Sequence, residues 1–237
     1  MEEEGLATKI VSLVRLHSET IRPPRSLFVP FELGRPLGPP NNHALQRQVL
    51  QQALGLLESD DEASLINDFD HDNDGTDPDE GWSPPVINSS NTNMMEVADL
   101  RRELKDEIEK LTPKYELARK DRGKSSVGVA RLTINEIAEH IVSFLDGPNQ
   151  VSPRDDLSSA MVLRFGADDL KAYYMEAASQ SGAPSSLQLG NWFWSDTVAG
   201  QILISLRAAA IGSSDKRFNI VGSGFLVPRI WVSVLNL

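Results

Sequence analysis

The fold class of this chain is decided near its start, by the apolar run Gly5-Leu6-Ala7-Thr8-Lys9-Ile10-Val11-Ser12-Leu13-Val14. Such a run is typical of a strand that is covered on both faces, as in α/β proteins. A second apolar run covers residues 26–31, and a helical pattern begins near Asn42 and ends near Glu58. One or two strands cannot bury both of their faces by themselves. We therefore expect residues 1–58 to be an α/β fragment that completes the sheet of a partner chain.

The segment that follows has the composition of a linker. Between Glu58 and Glu80 the chain carries 11 Asp or Glu residues and no Lys or Arg. Pro, Asn and Ser are then frequent up to residue 92. A segment of this kind buries too little apolar surface to fold by itself. Residues 59–92 are therefore predicted to be an acidic linker.

The remaining residues, 93–237, show apolar side chains at three- and four-residue steps, which indicates helices. One helix is predicted over residues 94–119. Thr133 and Glu136 have the spacing of a capping box for a second helix. Asp168 and Ser185 are candidate N-caps for two more, the last of them extending to about residue 211. The chain as a whole is therefore predicted to be α+β, with a mostly helical region after the α/β fragment.

Composition excludes several classes of protein. The net charge is −11, but outside the acidic tract 23 acidic residues balance 23 basic ones, and no basic stripe suited to nucleic acid is present. No apolar run reaches the length of a membrane span. The chain has no cysteine, so it carries no disulfide, no thiolate nucleophile and no Cys-type metal site. Its first residues, 1–4, lack the basic region of a signal peptide. We expect a cytoplasmic protein that binds neither nucleic acid nor membrane.

The candidate catalytic residues are His17 and Glu19, which follow the predicted first strand. In open α/β sheets, ligands bind beyond the carboxyl ends of the strands. A His/Glu pair there could transfer a proton, and the nearby Arg15 and Arg25 could hold a carboxylate of a small-molecule substrate. The alternative is a turn that carries ordinary solvated charges.

The loop Gly34-Arg35-Pro36-Leu37-Gly38-Pro39-Pro40 is rich in turn-forming residues. Its turns could direct backbone N–H groups at an anion, which makes Gly34 and Gly38 candidate substrate-binding residues. The alternative is a structural loop that leads the chain into the helix at Asn42.

The run Asp70-His71-Asp72-Asn73-Asp74-Gly75 has the residue order of a calcium-binding loop. The twelfth position of that loop is Gly81 instead of the glutamate that would complete the coordination. A solvated acidic linker is the preferred interpretation, and no metal site is assigned. The sequence indicates no particular cofactor.

The stretch from Ser12 to Gly38, with Arg22-Pro23-Pro24-Arg25 and the loop that begins at Gly34, resembles the C-terminal part of the glycine/sarcosine/betaine reductase family. It is most similar to reductases related to the selenoprotein B component of that family. The Gln-rich helix over residues 44–54 belongs to the same pattern. The resemblance is specific over residues 5–58 and weaker from residue 82 onward.

The resemblance implies a split enzyme. In the family, the redox cysteine or selenocysteine lies upstream of the segment that resembles this chain. A second polypeptide would therefore carry the N-terminal α/β half and the thiol or selenol, and this chain would contribute to the site. The implied reaction is reductive cleavage of a substituted amine or amino acid. The alternative is a non-catalytic structural or binding subunit that stabilises an enzyme partner.

Overall fold

The computed structural model describes residues 2–31, 33–39, 41–58, 65–70, 81–87 and 96–237. The chain divides into two compact units, Met1–Asp77 and Pro78–Leu237, and each has a hydrophobic core of its own. The run that begins at Asp70 and has the residue order of a calcium-binding loop lies, apart from Asp70 itself, outside the described residues.

The first unit contains a parallel sheet of three short strands. They are β1 (Ile10–Ser12), β2 (Arg25–Phe28) and β3 (Leu65–Asp68), in the order β1-β2-β3. The register pairs Val11 with Leu27 and Leu27 with Asn67. The unit thus has the α/β character that the sequence predicts, and within the described residues β1 lies at an edge of the sheet.

Two helices cover the sheet on opposite faces. The first, α1 (Arg15–Ile21), lies on the face of Ser26, whose Oγ donates a hydrogen bond to Ser18 Oγ at 3.2 Å. The second, α2 (His43–Gly55), is capped by Asn42 and buries one apolar face against the other side of β2. The core there consists of Leu27, Val29, Phe31, Leu45, Val49, Ala53, Leu56 and Phe69.

The sequence predicts a longer first strand than the structure shows, and it does not predict two elements of the first unit, α1 and β3. Only Ile10–Ser12 of the predicted strand forms β1, and the chain enters α1 at Arg15. A helix of about two turns with few apolar residues has too weak a periodicity to predict. The strand β3 lies inside the segment predicted as a linker. The sequence does not predict it, because Leu65 and Ile66 are its only apolar residues.

The second unit is mostly helical over its described length. Its helices are α3 (Val97–Arg122), α4 (Ile134–Ser143), α5 (Ser159–Ala178), α6 (Ser186–Asp196), α7 (Val198–Ile211), α8 (Lys216–Val221) and α9 (Arg229–Val234), with a π-turn over Gly222–Leu226. The mostly helical region predicted from the sequence is thus confirmed. Trp192, Phe193 and Trp194 are all buried in its core, as their apolar surroundings in the sequence predict.

Three predicted helix boundaries differ from the structure. Asp168 lies inside α5 instead of capping it, because Ser158 caps that helix by accepting from Met161 N at 3.4 Å. A proline inside a helical pattern should kink the helix or restart it, here with Thr112 as a possible new cap. The helix α3 instead continues through Pro113, and Thr112 Oγ1 donates to the carbonyl of Ile108 at 2.8 Å.

The helix predicted from Ser185 to residue 211 is two helices, because Thr197 has an extended backbone. Its hydroxyl caps α7 by accepting from Gly200 N at 2.9 Å. A hydroxyl that caps a following helix can end the preceding one.

In the part of the chain that the structure describes, we find no helix with both the length and the apolarity needed to cross a bilayer.

Candidate functional site

Arg15 occupies the carboxyl edge of the sheet. It begins α1 directly after β1, and its Nε lies 2.9 Å from Glu19 Oε1. Its Nη1 forms an ion pair with Asp68, the last residue of β3, and its guanidinium carbon lies 5.8 Å from the ring centroid of Phe28, the last residue of β2. A single side chain therefore reaches residues at the ends of both other strands, β2 and β3.

The two predicted catalytic residues lie on α1, two positions apart. Side chains at positions i and i+2 of a helix do not face each other. His17 is exposed, and Glu19 is engaged with Arg15. The structure therefore does not bring His17 and Glu19 together as a proton-transfer pair, although both follow the carboxyl end of β1 as expected.

The predicted substrate-binding residues are distributed over different parts of the first unit. Arg25 begins β2, which places it at the amino edge of the parallel sheet, opposite the edge that Arg15 occupies. Gly34 is exposed and Gly38 is buried beneath Leu45 and Phe31. Both glycines have positive φ, +93° and +84°. The loop around them is a sequence of tight turns that leads into α2.

The second unit holds a buried carboxylate, Glu107, that is not among the predicted site residues. Glu107 on α3 is 2% exposed and accepts hydrogen bonds from Val198 N at 2.8 Å and Ala199 N at 3.3 Å. It also accepts one from the Tyr174 hydroxyl at 2.9 Å. Glu107 therefore caps the N-terminus of α7 from within the core, where a carboxylate also interacts favourably with the helix dipole.

Burial has the largest effect on the pKa of Glu107. It raises the pKa of Glu107 to about 6, although the hydrogen bonds from Val198, Tyr174 and Ala199 act in the opposite direction. Burial also raises the pKa of Tyr174 well above its ordinary value, and the neighbouring Glu107 adds to the effect. Tyr174 thus remains a hydrogen-bond donor throughout the physiological pH range.

Two more carboxylates of α5 hold the connector between α3 and α4, which we define as residues 123–130. Asp169 is fully buried and accepts from three consecutive backbone N–H groups, those of Gly128, Val129 and Ala130, at 3.0, 3.0 and 2.9 Å. Glu176, two turns later on α5, accepts from Ser126 N at 2.7 Å. These bonds fix the connector to α5.

The sequence contained a signal for these residues. Glu107 lies three residues after Leu104 and four before Leu111, and both leucines are buried. Asp169 lies four residues before the buried Tyr173. A charged residue on the apolar stripe of a helix needs a partner in the core. The pattern could therefore have identified both residues, but not the backbone groups that they bind.

His140 on α4 is a packed histidine. Its Nε2 lies 3.0 Å from the carbonyl oxygen of Ser159, and its ring meets that of Phe144 edge to face at 5.3 Å. Burial lowers its pKa, and the hydrogen bond to Ser159 opposes that effect. Among the described residues, no group of three or more His, Cys, Asp or Glu is arranged to hold a metal ion.

Comparison with protein-family models, with curated proteins and with solved structures finds no match to this chain.

Proposed function

We propose that this chain is a binding subunit whose first unit extends the sheet of a partner protein through the outer edge of β1. The observation that supports this proposal is the position of β1 at an edge of a small parallel sheet whose two faces are each covered by a helix. Parallel sheets in α/β proteins usually have more strands than these three.

The backbone of β1 indicates which groups a partner strand would meet. Val29 N donates to Ser12 O at 2.9 Å, so Ser12 directs its backbone toward β2. Successive residues of a strand direct their backbone groups to opposite sides, so the N–H and C=O of Val11 point away from β2. Among the residues that the structure describes, no strand pairs with this edge of β1, and a strand of another chain can extend such an edge.

Exposed apolar side chains flank the same strand. Leu6, Ile10 and Val14 are 56%, 41% and 46% exposed. An added strand with its covering helix would bury part of this surface. Each Å² of apolar area removed from water stabilises the complex by about 25 cal/mol. The same exposure on an isolated chain favours aggregation, which a partner would prevent.

The second candidate is the reductase-like role that the resemblance implies. The observation that favours it is the location of Arg15, His17 and Glu19 beyond the carboxyl end of β1, where open α/β sheets bind ligands. In that role, His17 or Glu19 transfers a proton and the partner supplies the thiol or selenol. To bind a substrate carboxylate, Arg15 would have to break its ion pair with Glu19 or Asp68.

Co-purification tests the proposal. A tagged chain expressed at its native level is purified gently, and the accompanying proteins are identified and quantified by mass spectrometry. The proposal expects one protein at close to equimolar amount. Recovery of the chain alone, as a monodisperse monomer with a cooperative melting transition, would overturn it.

A further inference from the structure

The C-terminal half of α3 and the connector border an open groove of about 1040 Å³ in the second unit. Its apolar surface comes from Pro113 and Leu117 on α3 and from Val127 on the connector. Leu117 is 48% exposed, on the side of α3 that does not enter the core. The groove is at the upper end of the size range of ligand pockets and is open to solvent, which suits an extended chain better than a compact small molecule.

Hydrogen bonds hold the connector wall of the groove in place. Asp169 and Glu176 bind the backbone N–H groups of four connector residues from beneath. Ser125 Oγ accepts from Val127 N at 3.0 Å and lies 2.9 Å from the Tyr115 hydroxyl. A wall that is ordered before binding loses little conformational entropy when a ligand arrives.

The rim of the groove is cationic. Arg119 pairs with Glu116 at 2.9 Å, so these two charges neutralise each other. Lys120 and Lys124 also line the groove and are exposed, and neither forms an ion pair with a residue that the structure describes. Two ammonium groups therefore remain available beside the apolar surface.

We propose that this groove binds an acidic peptide segment of a partner protein, with carboxylates paired to Lys120 and Lys124 and an apolar side chain on Leu117. An acidic ligand is proposed because its carboxylates complement the positive charges of Lys120 and Lys124. The apolar surface favours a peptide over a nucleic acid, which would need many more phosphate contacts than two lysines supply. The proposal concerns the second unit alone and stands independently of strand pairing at β1.

Selection from a random dodecapeptide phage library on the immobilised full chain tests this inference. We expect the selected peptides to be enriched in Asp and Glu together with at least one large apolar residue. Synthetic fluorescent versions are then titrated by anisotropy. The double variant Lys120→Glu/Lys124→Glu should weaken their binding at least tenfold, and Leu117→Ser at least threefold.

The control is Lys105→Glu/Lys216→Glu, which makes the same change in net charge at exposed positions outside the groove. It should leave binding within twofold of that of the wild-type chain. Selected peptides without an acidic bias would overturn the proposal. Equal losses in the groove and control variants would also overturn it, as would tighter binding of a single-stranded RNA of 20 nucleotides than of the peptides.

Discussion

The Tyr174 hydroxyl donates a hydrogen bond to Glu107 Oε2 at 2.9 Å, which joins α5 to α3 inside the helical unit. The same carboxylate accepts from Val198 N, so one buried group holds three helices together. Removing a partner from such a network leaves buried donors unsatisfied, each at a cost of about 1–3 kcal/mol.

We therefore predict that Glu107→Ala lowers the free energy of unfolding of the second unit by about 3 kcal/mol or more, because three donors lose their acceptor. Glu109→Gln, on the exposed side of the same helix, should change it by less than about 0.5 kcal/mol. Urea unfolding monitored by tryptophan fluorescence measures both, since every tryptophan of the chain lies at or after residue 82. Equal stability of the two variants would contradict the capping role.

The pKa of Glu107 predicts a pH dependence with a defined sign. Its folded-state pKa, about 6, is above the ordinary value of 4.5, so the folded chain binds the proton more tightly than the unfolded chain. The contribution of Glu107 to stability therefore falls as pH rises from 4.5 to 6, by about 2 kcal/mol, and is constant above that range. The difference in unfolding free energy between wild type and Glu107→Gln, measured at several pH values, should decrease over this interval. A flat difference would show that Glu107 does not titrate in this range.

Asp169 offers a comparison with its neighbour in the chain. Asp169→Asn replaces one acceptor oxygen by a donor that faces backbone N–H groups, and we expect a loss of about 2–3 kcal/mol. Asp168 is exposed and pairs with Lys171 at 3.0 Å, so Asp168→Asn should cost less than about 1 kcal/mol. Hydrogen exchange should also show faster exchange of the connector amides in Asp169→Asn only. Unchanged connector exchange would contradict the contacts described.

Gly38 and Gly34 form a matched pair in the first unit. Alanine at either position is strained by the positive φ, at a cost of about 1–2 kcal/mol. At Gly38 the added Cβ would also lie 3.0 Å from Leu45 Cδ2, whereas at Gly34 it would meet no atom within 4 Å. Gly38→Ala should therefore accelerate amide exchange of α2 more than Gly34→Ala does. The reverse order would mean that the loop does not pack on α2 as described.

The two functional candidates predict different results for the residues on α1. For a binding subunit, His17→Ala and Glu19→Gln leave the turnover of the assembled complex within about twofold. For the reductase-like role they reduce it by tenfold or more, the loss expected for a positioned acid or base. His43→Ala, at an exposed position on α2, serves as the control. A tenfold loss in either α1 variant, with assembly intact, would favour the catalytic role.

Much of the fold was predictable because long amphipathic helices repeat apolar side chains at three- and four-residue steps. The capping box predicted at Thr133 and Glu136 is present, with both reciprocal hydrogen bonds. The strand β3 could not be predicted from two apolar residues among acidic ones. The break at Thr197 depends on its hydroxyl accepting from Gly200 N, a local bond that the spacing of apolar residues does not encode.

The sequence predicts where the candidate site residues lie in the fold, but not which side chains they contact. The expectation that Arg15, His17 and Glu19 follow the carboxyl end of the first strand agrees with their location on α1. The partner of Arg15 across the sheet, Asp68, is 53 residues away in the chain, and no local pattern links the two. The separation of His17 from Glu19 follows from a helix that the sequence did not reveal.

The outer edge of β1 is tested most directly by a pair of substitutions at Val11, compared by quantitative co-purification. Val11→Pro removes the N–H that points away from β2 without removing a bond between β1 and β2. Val11→Thr keeps that N–H and the branched side chain. Our account predicts an equimolar partner with wild type and Val11→Thr, and at least tenfold less partner with Val11→Pro, while amide exchange of α2 stays unchanged. Equal recovery of the partner with Val11→Pro and Val11→Thr would contradict it.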